Sequence, residues 1–321
     1  KSITDNHYLT ALHGWTEVWR DPMQKRRLSK SGEAVSATDH PQTLAPGLYF
    51  VATPLGNARD ITLRALDILA AADVLAAEDT RTLRRLMEIH GVALRGRKII
   101  AYHDHNGPRQ RPKLLAHLAE GRSVAYASEA GTPLVADPGF VLGRDAIAAG
   151  HPVLAAPGPA AAIAALTVSG LPSDRFLFAG FPPQAKGARQ TFLRDFAGVP
   201  ATLILYESPN RLAKTLTDCA EVLGGDRDAA VCRELTKKFE EVTRGSLSDL
   251  AETFSENPTR GEIVICIGRG EQAVDAADLE EALREAMKVK RLKDAAAEVA
   301  ERFGVSKRDL YQMGLEFQKR N

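Results

Sequence analysis

Glu78-Asp79-Thr80-Arg81 sets two carboxylates beside a guanidinium, a grouping that serves equally to hold a polar substrate or to cap a helix. Two later segments are built differently. Ser128-Glu129-Ala130-Gly131-Thr132-Pro133 runs on through Leu134 to Asp137-Pro138-Gly139, and Ala156-Pro157-Gly158-Pro159-Ala160 repeats its character. Small residues and prolines of this kind expose backbone amides and carbonyls, the groups that hold a polar cofactor by main-chain contacts. Thr53-Pro54-Leu55-Gly56-Asn57 reads as a tight turn in which glycine admits close approach and Asn57 is placed to cap the next helix, although turn geometry alone accounts for its composition. Tyr102-His103-Asp104-His105-Asn106 flanks a carboxylate with two imidazoles. That is an incomplete ligand set, so hydrogen bonding or RNA contact is expected there and a metal is not. None of these turns carries G-x-G-x-x-G, G-x-x-x-x-G-K-[ST] or G-x-S-x-G, which removes the common dehydrogenases, P-loop kinases and serine hydrolases.

The loops need elements to position them. Short apolar runs at 48–53, 74–77, 98–101, 123–127 and 152–155 read as buried strands separated by helix-length segments. Strands alternating with helices predict a mainly parallel sheet whose carboxyl-end loops carry the chemistry. The small-residue stretch 160–170 reads as a helix and a domain linker. Strands are then expected at 176–179, 202–206, 229–233, 239–244 and 262–267, with a hairpin around Lys237 and Glu240 and hence a mixed sheet. The expected organisation is an N-terminal tail (1–46), a first α/β domain (47–158), a linker helix (159–175), a second α/β domain (176–270) and a C-terminal helical segment (271–321).

Composition bounds the rest. The chain has 321 residues, 44% hydrophobic and 26% charged, with a formal net charge of +1; this is the make-up of a globular protein of about two domains, with no global field to steer a polyanion. No apolar run reaches the ~18 residues of a membrane span. Three scattered cysteines, Cys219, Cys232 and Cys266, support neither a disulfide framework nor a paired zinc site, and a cytoplasmic setting is expected. Both tryptophans, Trp15 and Trp19, lie in the tail with the basic cluster Lys25, Arg26, Arg27 and Lys30. Met23 is a candidate start, and residues 1–22 are read as an upstream extension, not a signal peptide. From Lys288 onward nine Lys+Arg face five Asp+Glu, and a helix, a Phe303-Gly304-Val305-Ser306 turn and a second helix from Lys307 suggest a helix-turn-helix or a small covering helical pair.

Taken in order, Thr53-Pro54-Leu55-Gly56-Asn57, Ala77-Glu78-Asp79-Thr80-Arg81, Gly131-Thr132-Pro133 with Asp137-Pro138-Gly139, Pro157-Gly158-Pro159, Tyr206-Glu207-Ser208-Pro209 with Arg211, Arg233-Glu234-Leu235-Thr236-Lys237 and Arg260-Gly261-Glu262 resemble the tetrapyrrole methylase superfamily, in its branch that methylates a cytidine 2′-hydroxyl of 16S rRNA. The resemblance covers about 47–270. Two positions depart from it: Glu129 stands where the family usually has Asp, and Gly107 where it often has Glu. The resemblance implies two α/β domains, S-adenosylmethionine in the cleft between them, a homodimer, and an RNA substrate within the small ribosomal subunit, the N4,2′-O-dimethylcytidine of the decoding centre. Carried over by motif, the cofactor contacts are Pro54, Leu55, Gly56, Ser128, Glu129, Ala130, Gly131, Thr132, Pro133, Pro157, Gly158, Pro159 and Ala160. Catalytic candidates are Glu207, Arg233, Glu234 and Lys237, against the alternative that these form an interdomain salt-bridge network. Substrate contacts are expected at Asp79, Arg81, His103, His105 and Arg211, with Arg84, Arg85, Lys186 and Arg189 as further RNA backbone contacts. Two other functions stay open on sequence alone: a non-catalytic RNA-binding assembly factor, and a methylase of the same fold acting on a tetrapyrrole.

Overall fold

The computed structural model describes residues 43–270, 276–303 and 305–320. The expected tail therefore lies outside the described residues up to position 42, with Trp15, Trp19 and the basic cluster, as does Gly304 of the C-terminal turn.

The first sheet comprises β1 (Gly47–Val51), β2 (Val74–Ala77), β3 (Ile99–Ala101), β4 (Ser123–Ala127) and β5 (Val153–Ala156). Its order is β3-β2-β4-β1-β5, with every pair parallel. Between the strands run α1 (Leu63–Ala71), α2 (Thr80–Ile89), α3 (Gly107–Ala119) and α4 (Phe140–Ala148). The period of two along each strand divides the core. Tyr49, Val51, Leu75 and Ala77 face Ile68 and Leu69 of α1 and Leu83 and Met87 of α2, while Leu48, Phe50, Val74 and Ala76 face Leu114 of α3 and Leu142 of α4. Burial on both faces explains why β1, β2 and β4 are apolar or small without alternation.

The second sheet holds β6 (Phe176–Gly180), β7 (Thr202–Glu207), β8 (Asp228–Arg233), β9 (Glu241–Ser246) and β10 (Ile263–Ile267) in the order β6-β7-β10-β8-β9. Only β6 and β7 pair in parallel; β10 runs antiparallel to β7 and β8, and β9 antiparallel to β8. The mixed sheet and the β8–β9 hairpin are thus as the sequence predicts, but β9 begins two residues later than expected. Residues 234–240 fold into a tight loop in which Glu234 (φ 50°) and Thr236 (φ 63°) are left-handed, a conformation that cannot continue a strand. The intervening helices are α5 (Ala161–Ser169), ahead of the sheet, then α6 (Lys186–Arg194), α7 (Leu212–Leu223) and α8 (Leu247–Glu256).

The small-residue helix α5 does more than link. Ala162, Ala165 and Leu166 pack against Ile204, Ala230, Cys232, Val264 and Cys266, so α5 covers the face of the second sheet opposite α6, α7 and α8. Alanines let its backbone come close to the strands, and Gly170 (φ 80°) ends it in the left-handed cap that glycine favours. At the C-terminus α9 (Ala276–Val289), α10 (Leu292–Phe303) and α11 (Lys307–Arg320) pack on one another around Leu283, Ala295, Ala296, Val299, Leu310 and Phe317. Among the described residues no helix is long and apolar enough to cross a membrane.

Candidate active site

A parallel sheet brings all its carboxyl ends to one edge, so the loops after β1, β2, β4 and β5 form a single wall. The facing wall comes from the second sheet: the loop after β6, the ends of β7 and β8, and the start of β10, which antiparallel pairing sets beside them through Ile263 with Glu207 and with Arg233. Between the walls lies a cavity of about 1140 Å³ lined from both sides. Sites for one small molecule measure about 300–1,000 Å³, so this open cleft is at the upper end of what a single ligand needs.

The first wall is knitted together by short polar bonds. Thr53 and Gly131 exchange backbone hydrogen bonds of 2.9 and 3.0 Å. The Ser128 hydroxyl donates to the Gly131 carbonyl (2.8 Å), and the Thr132 hydroxyl donates to the Pro159 carbonyl (2.8 Å). Gly131 is left-handed (φ 81°), and a Cβ there would stand 3.1 Å from Leu55, so glycine is required. Leu134 (φ 75°) and Ala136 (φ 62°), neither of them glycine, hold the same strained conformation in this loop. Strain of this kind persists only where the surroundings over-determine the backbone.

Carboxylates crowd the floor. Glu78, Asp79, Glu129, Asp137, Glu207 and Glu262 all line the cavity. Burial, then the neighbouring Glu78 and Glu129, pushes Asp137 up to about 7. Burial likewise raises Glu129, helped by Glu78, Asp79 and Glu262. Asp79 goes the other way. The Arg81 side chain and the Arg81 backbone N–H hold it at about 2, because it caps α2 by accepting from Arg81 (2.7 Å) and Thr82 (3.3 Å). A small-residue slot under a ring of carboxylates suits a polar ligand with positive charge. S-adenosylmethionine, a sulfonium with an α-amino group, fits that description.

The predicted residues divide by place. Pro54, Leu55, Gly56, Glu129, Ala130, Gly131, Thr132 and Ala160 line the cavity, with Asp79 and Arg81. Ser128 stands behind this surface, tying Gly131 in place. Pro133, Pro157, Gly158 and Pro159 are outside the lining; Gly158 instead packs on Ala52, the residue after β1, whose Cβ a Cβ at 158 would meet at 2.8 Å. His103 and His105 are also away from the cleft, because β3 is an edge strand and its loop lies beyond that of β2. His103 is a local brace, its ring 3.1 Å from Asn106 Nδ2.

Among the catalytic candidates Glu207 alone lines the cavity. Both its oxygens are engaged: Oε1 accepts from the Ser208 N–H (2.7 Å), and Oε2 accepts from Thr215 (2.6 Å) and Arg211 (3.1 Å). Arg233 turns to Glu241 (2.7 Å). Lys237 bridges Glu234 (2.9 Å) and Glu262 (3.0 Å), and Thr236 accepts from the Asn57 N–H (3.2 Å). Burial opposes the charge on Lys237, but the two carboxylates outweigh it and raise its pKa. These ion pairs all lie within the second wall, and of the bonds in this group only that between Thr236 and Asn57 crosses to the first. One expectation for RNA contact needs correction: Arg189 is buried against Asp218 (2.6 Å), since an unpaired buried Asp218 would be far costlier. Lys186 stays on the surface, paired with Asp218 and Glu221. Asn57, expected to cap a helix, instead accepts from the Arg59 N–H, and Thr62 caps α1. Glu78, Asp137, Phe181, Tyr206 and Glu262 line the cavity without having been assigned a site role. Glu78, Asp137, Tyr206 and Glu262 belong to the quoted motifs, whereas nothing in the local pattern marked Phe181.

Comparison with known proteins gives this arrangement a family. Residues 47–251 match the family model described as Tetrapyrrole (Corrin/Porphyrin) Methylases, and residues 273–318 match the RsmI C-terminal HTH domain. Among solved structures, the methyltransferase CobJ superposes with a TM-score of 0.55 at 19% identity, over 70% of this chain and 95% of that one. Diphthine synthase superposes with a TM-score of 0.54 at 15% identity, over 69% and 89%. Both show the fold. The chain is therefore a methyltransferase of the tetrapyrrole methylase class, dependent on S-adenosylmethionine. Ribosomal RNA small subunit methyltransferase I of Mesorhizobium japonicum is 50% identical over 285 residues, 88% of this chain and 96% of that one, and its Vibrio cholerae counterpart is 43% identical over 277 residues, 85% and 95%. Within the class, the chain belongs to the ribosomal RNA small subunit methyltransferase I family.

Proposed function

We propose that the protein transfers the methyl group of S-adenosylmethionine to the 2′-hydroxyl of a cytidine in 16S rRNA, the N4,2′-O-dimethylcytidine of the decoding centre, within the small ribosomal subunit. The observation that carries the reading is the two-sided cleft, an acidic small-residue wall facing a second wall across an open cavity. Bound there, the cofactor supplies an electrophilic methyl carbon on a sulfonium. The loops at 53–57, 128–137 and 156–160 fix its place, and the second wall orients the ribose oxygen in line with the breaking bond and keeps water out. Arg81 and Arg85, one turn apart on the face of α2 that lines the cleft, meet the RNA phosphates. Glu207, with both oxygens bonded, acts in this reading as a positioning residue, and Arg233, Glu234 and Lys237 stiffen the second wall through their ion pairs. The same reading assigns a first domain at 47–158, a linker at 159–175, a second domain at 176–270 and a C-terminal RNA-binding segment, in a cytoplasmic homodimer.

The test is transfer of labelled methyl to small subunits from cells lacking the modification, followed by nucleoside analysis. Label on a cytidine 2′-oxygen is expected; no transfer, or label on a base, overturns the proposal. Titration calorimetry with S-adenosylmethionine, comparing the wild type with Glu129→Asp, is expected to show binding by both. Binding by Glu129→Asp alone would bring the non-catalytic assembly factor forward.

A further inference from the structure

The second wall carries an exposed aromatic ring on a rigid mount. Phe181 lines the cavity yet is 56% exposed. Its orientation is set from three directions. The β6–β7 pairing shifts register between Phe178 and Gly180, and Gly180 is left-handed (φ 71°); a bulge of this kind re-aims the side chain that follows. Tyr206 receives the ring edge-to-face at 5.6 Å and is itself packed on Phe178 at 4.6 Å, its hydroxyl accepting from the Ala162 N–H. The residues after Phe181 are then clamped. Arg211 donates to the carbonyls of Pro182 (2.5 Å) and Pro183 (3.3 Å), and Arg189 donates to those of Pro183 (3.3 Å) and Gln184 (2.8 Å). Each arginine is anchored on a buried carboxylate, Glu207 for one and Asp218 for the other.

Leaving a phenyl ring in water while fixing its loop with two buried ion pairs makes sense when the ring receives a flat partner. We propose that Phe181 is the stacking platform for the base of the nucleotide whose ribose is methylated. The inference rests on the function proposed above and adds how the acceptor is held. A ribose can enter the cleft only if its nucleotide leaves the helical stack. The base, joined to that ribose, then loses its stacking neighbours close to the reacting centre. An aromatic face on the wall opposite the cofactor loops replaces them, whatever the base, because stacking reads no hydrogen-bond pattern. This gives the buried Glu207–Arg211 and Asp218–Arg189 pairs a common task, to hold a platform and not to exchange protons.

The experiment uses the full chain and small subunits lacking the modification. Phe181→Ala is expected to lower kcat/KM for subunits about 5- to 150-fold, the range for losing one stacked base, chiefly through KM. Its affinity for S-adenosylmethionine and its thermal midpoint should match the wild type. Phe181→Trp should restore activity and Phe181→Leu should not, because leucine fills the space without a π face. Rescue by leucine, unchanged kinetics in Phe181→Ala, or a parallel loss of cofactor binding would each overturn the platform while leaving the methyltransferase reading intact. A wild type that binds the cofactor but methylates no subunit would overturn both.

Discussion

Asp137 is held at about 7 by its burial and by the charges of Glu78 and Glu129, which makes it the residue through which pH should reach the cleft. Unfolded, an aspartate titrates near 3.9. Between about 4 and 7 the unfolded chain has therefore lost a proton that the folded chain keeps, so this group lowers stability as pH rises through that window. Asp137→Asn should remove this part of the slope, measured as the thermal midpoint of the free protein from pH 4 to 8. For a cationic ligand the sign reverses. Affinity for S-adenosylmethionine should rise through pH 7 as the carboxylate ionises, and the rise should flatten in Asp137→Asn when both are followed by calorimetry. At this scale the sequence showed motif but not environment. Asp137 stood inside a quoted motif, yet its raised pKa comes first from burial and then from Glu78, 59 positions away, and no local pattern reports such surroundings.

Between residue and molecule, the loop after β6 is an element built from distant parts. Arg211, ahead of α7, holds Pro182 and Pro183 and is itself held by Glu207 at the end of β7, which Thr215 within α7 also bonds. Removing the buried carboxylate leaves Arg211 without its counter-charge, and breaking a buried pair in this way costs about 3–5 kcal/mol. Glu207→Ala should lose that much in urea unfolding, whereas a residue acting only as a base would cost activity and little stability. Regular elements were largely legible: the runs at 74–77 and 123–127 are strands β2 and β4 to the residue, because fully buried parallel strands leave a continuous apolar signal. The β8–β9 loop was less so. Its left-handed Glu234 and Thr236 are imposed by tertiary bonds, with Glu234 accepting from the Glu262 N–H and Thr236 from that of Asn57. The clamp on Pro182 and Pro183 left no trace in periodicity, since hydrogen bonds to carbonyls do not depend on the side chain that bears them.

For the molecule as a whole, charge is distributed in patches and not as a net field. A formal charge of +1 over 321 residues leaves RNA affinity to local basic surfaces, and the C-terminal helices provide one. Lys307 and Arg308 open α11 with exposed side chains. If they meet phosphates, replacing both with alanine should weaken subunit binding and reduce the slope of log affinity against log salt by about one to two, while cofactor affinity stays unchanged.

The cleft has the opposite polarity, with Glu78, Asp79, Glu129, Asp137 and Glu262 on its lining, and this matters over a catalytic cycle. Methyl transfer turns a sulfonium into a neutral thioether and frees the proton of the acceptor hydroxyl, so once that proton has passed to water each turnover has removed one positive charge from among these carboxylates. Outside, water and salt screen such a change within about 8 Å; between the walls of the cleft it is screened less. The phosphate chain held across the mouth while the cofactor was cationic then faces the same acids with less to offset them. Affinity for the acceptor should thus fall as a consequence of the chemistry itself, so that the acidic floor which admits the cofactor also helps the finished RNA to leave.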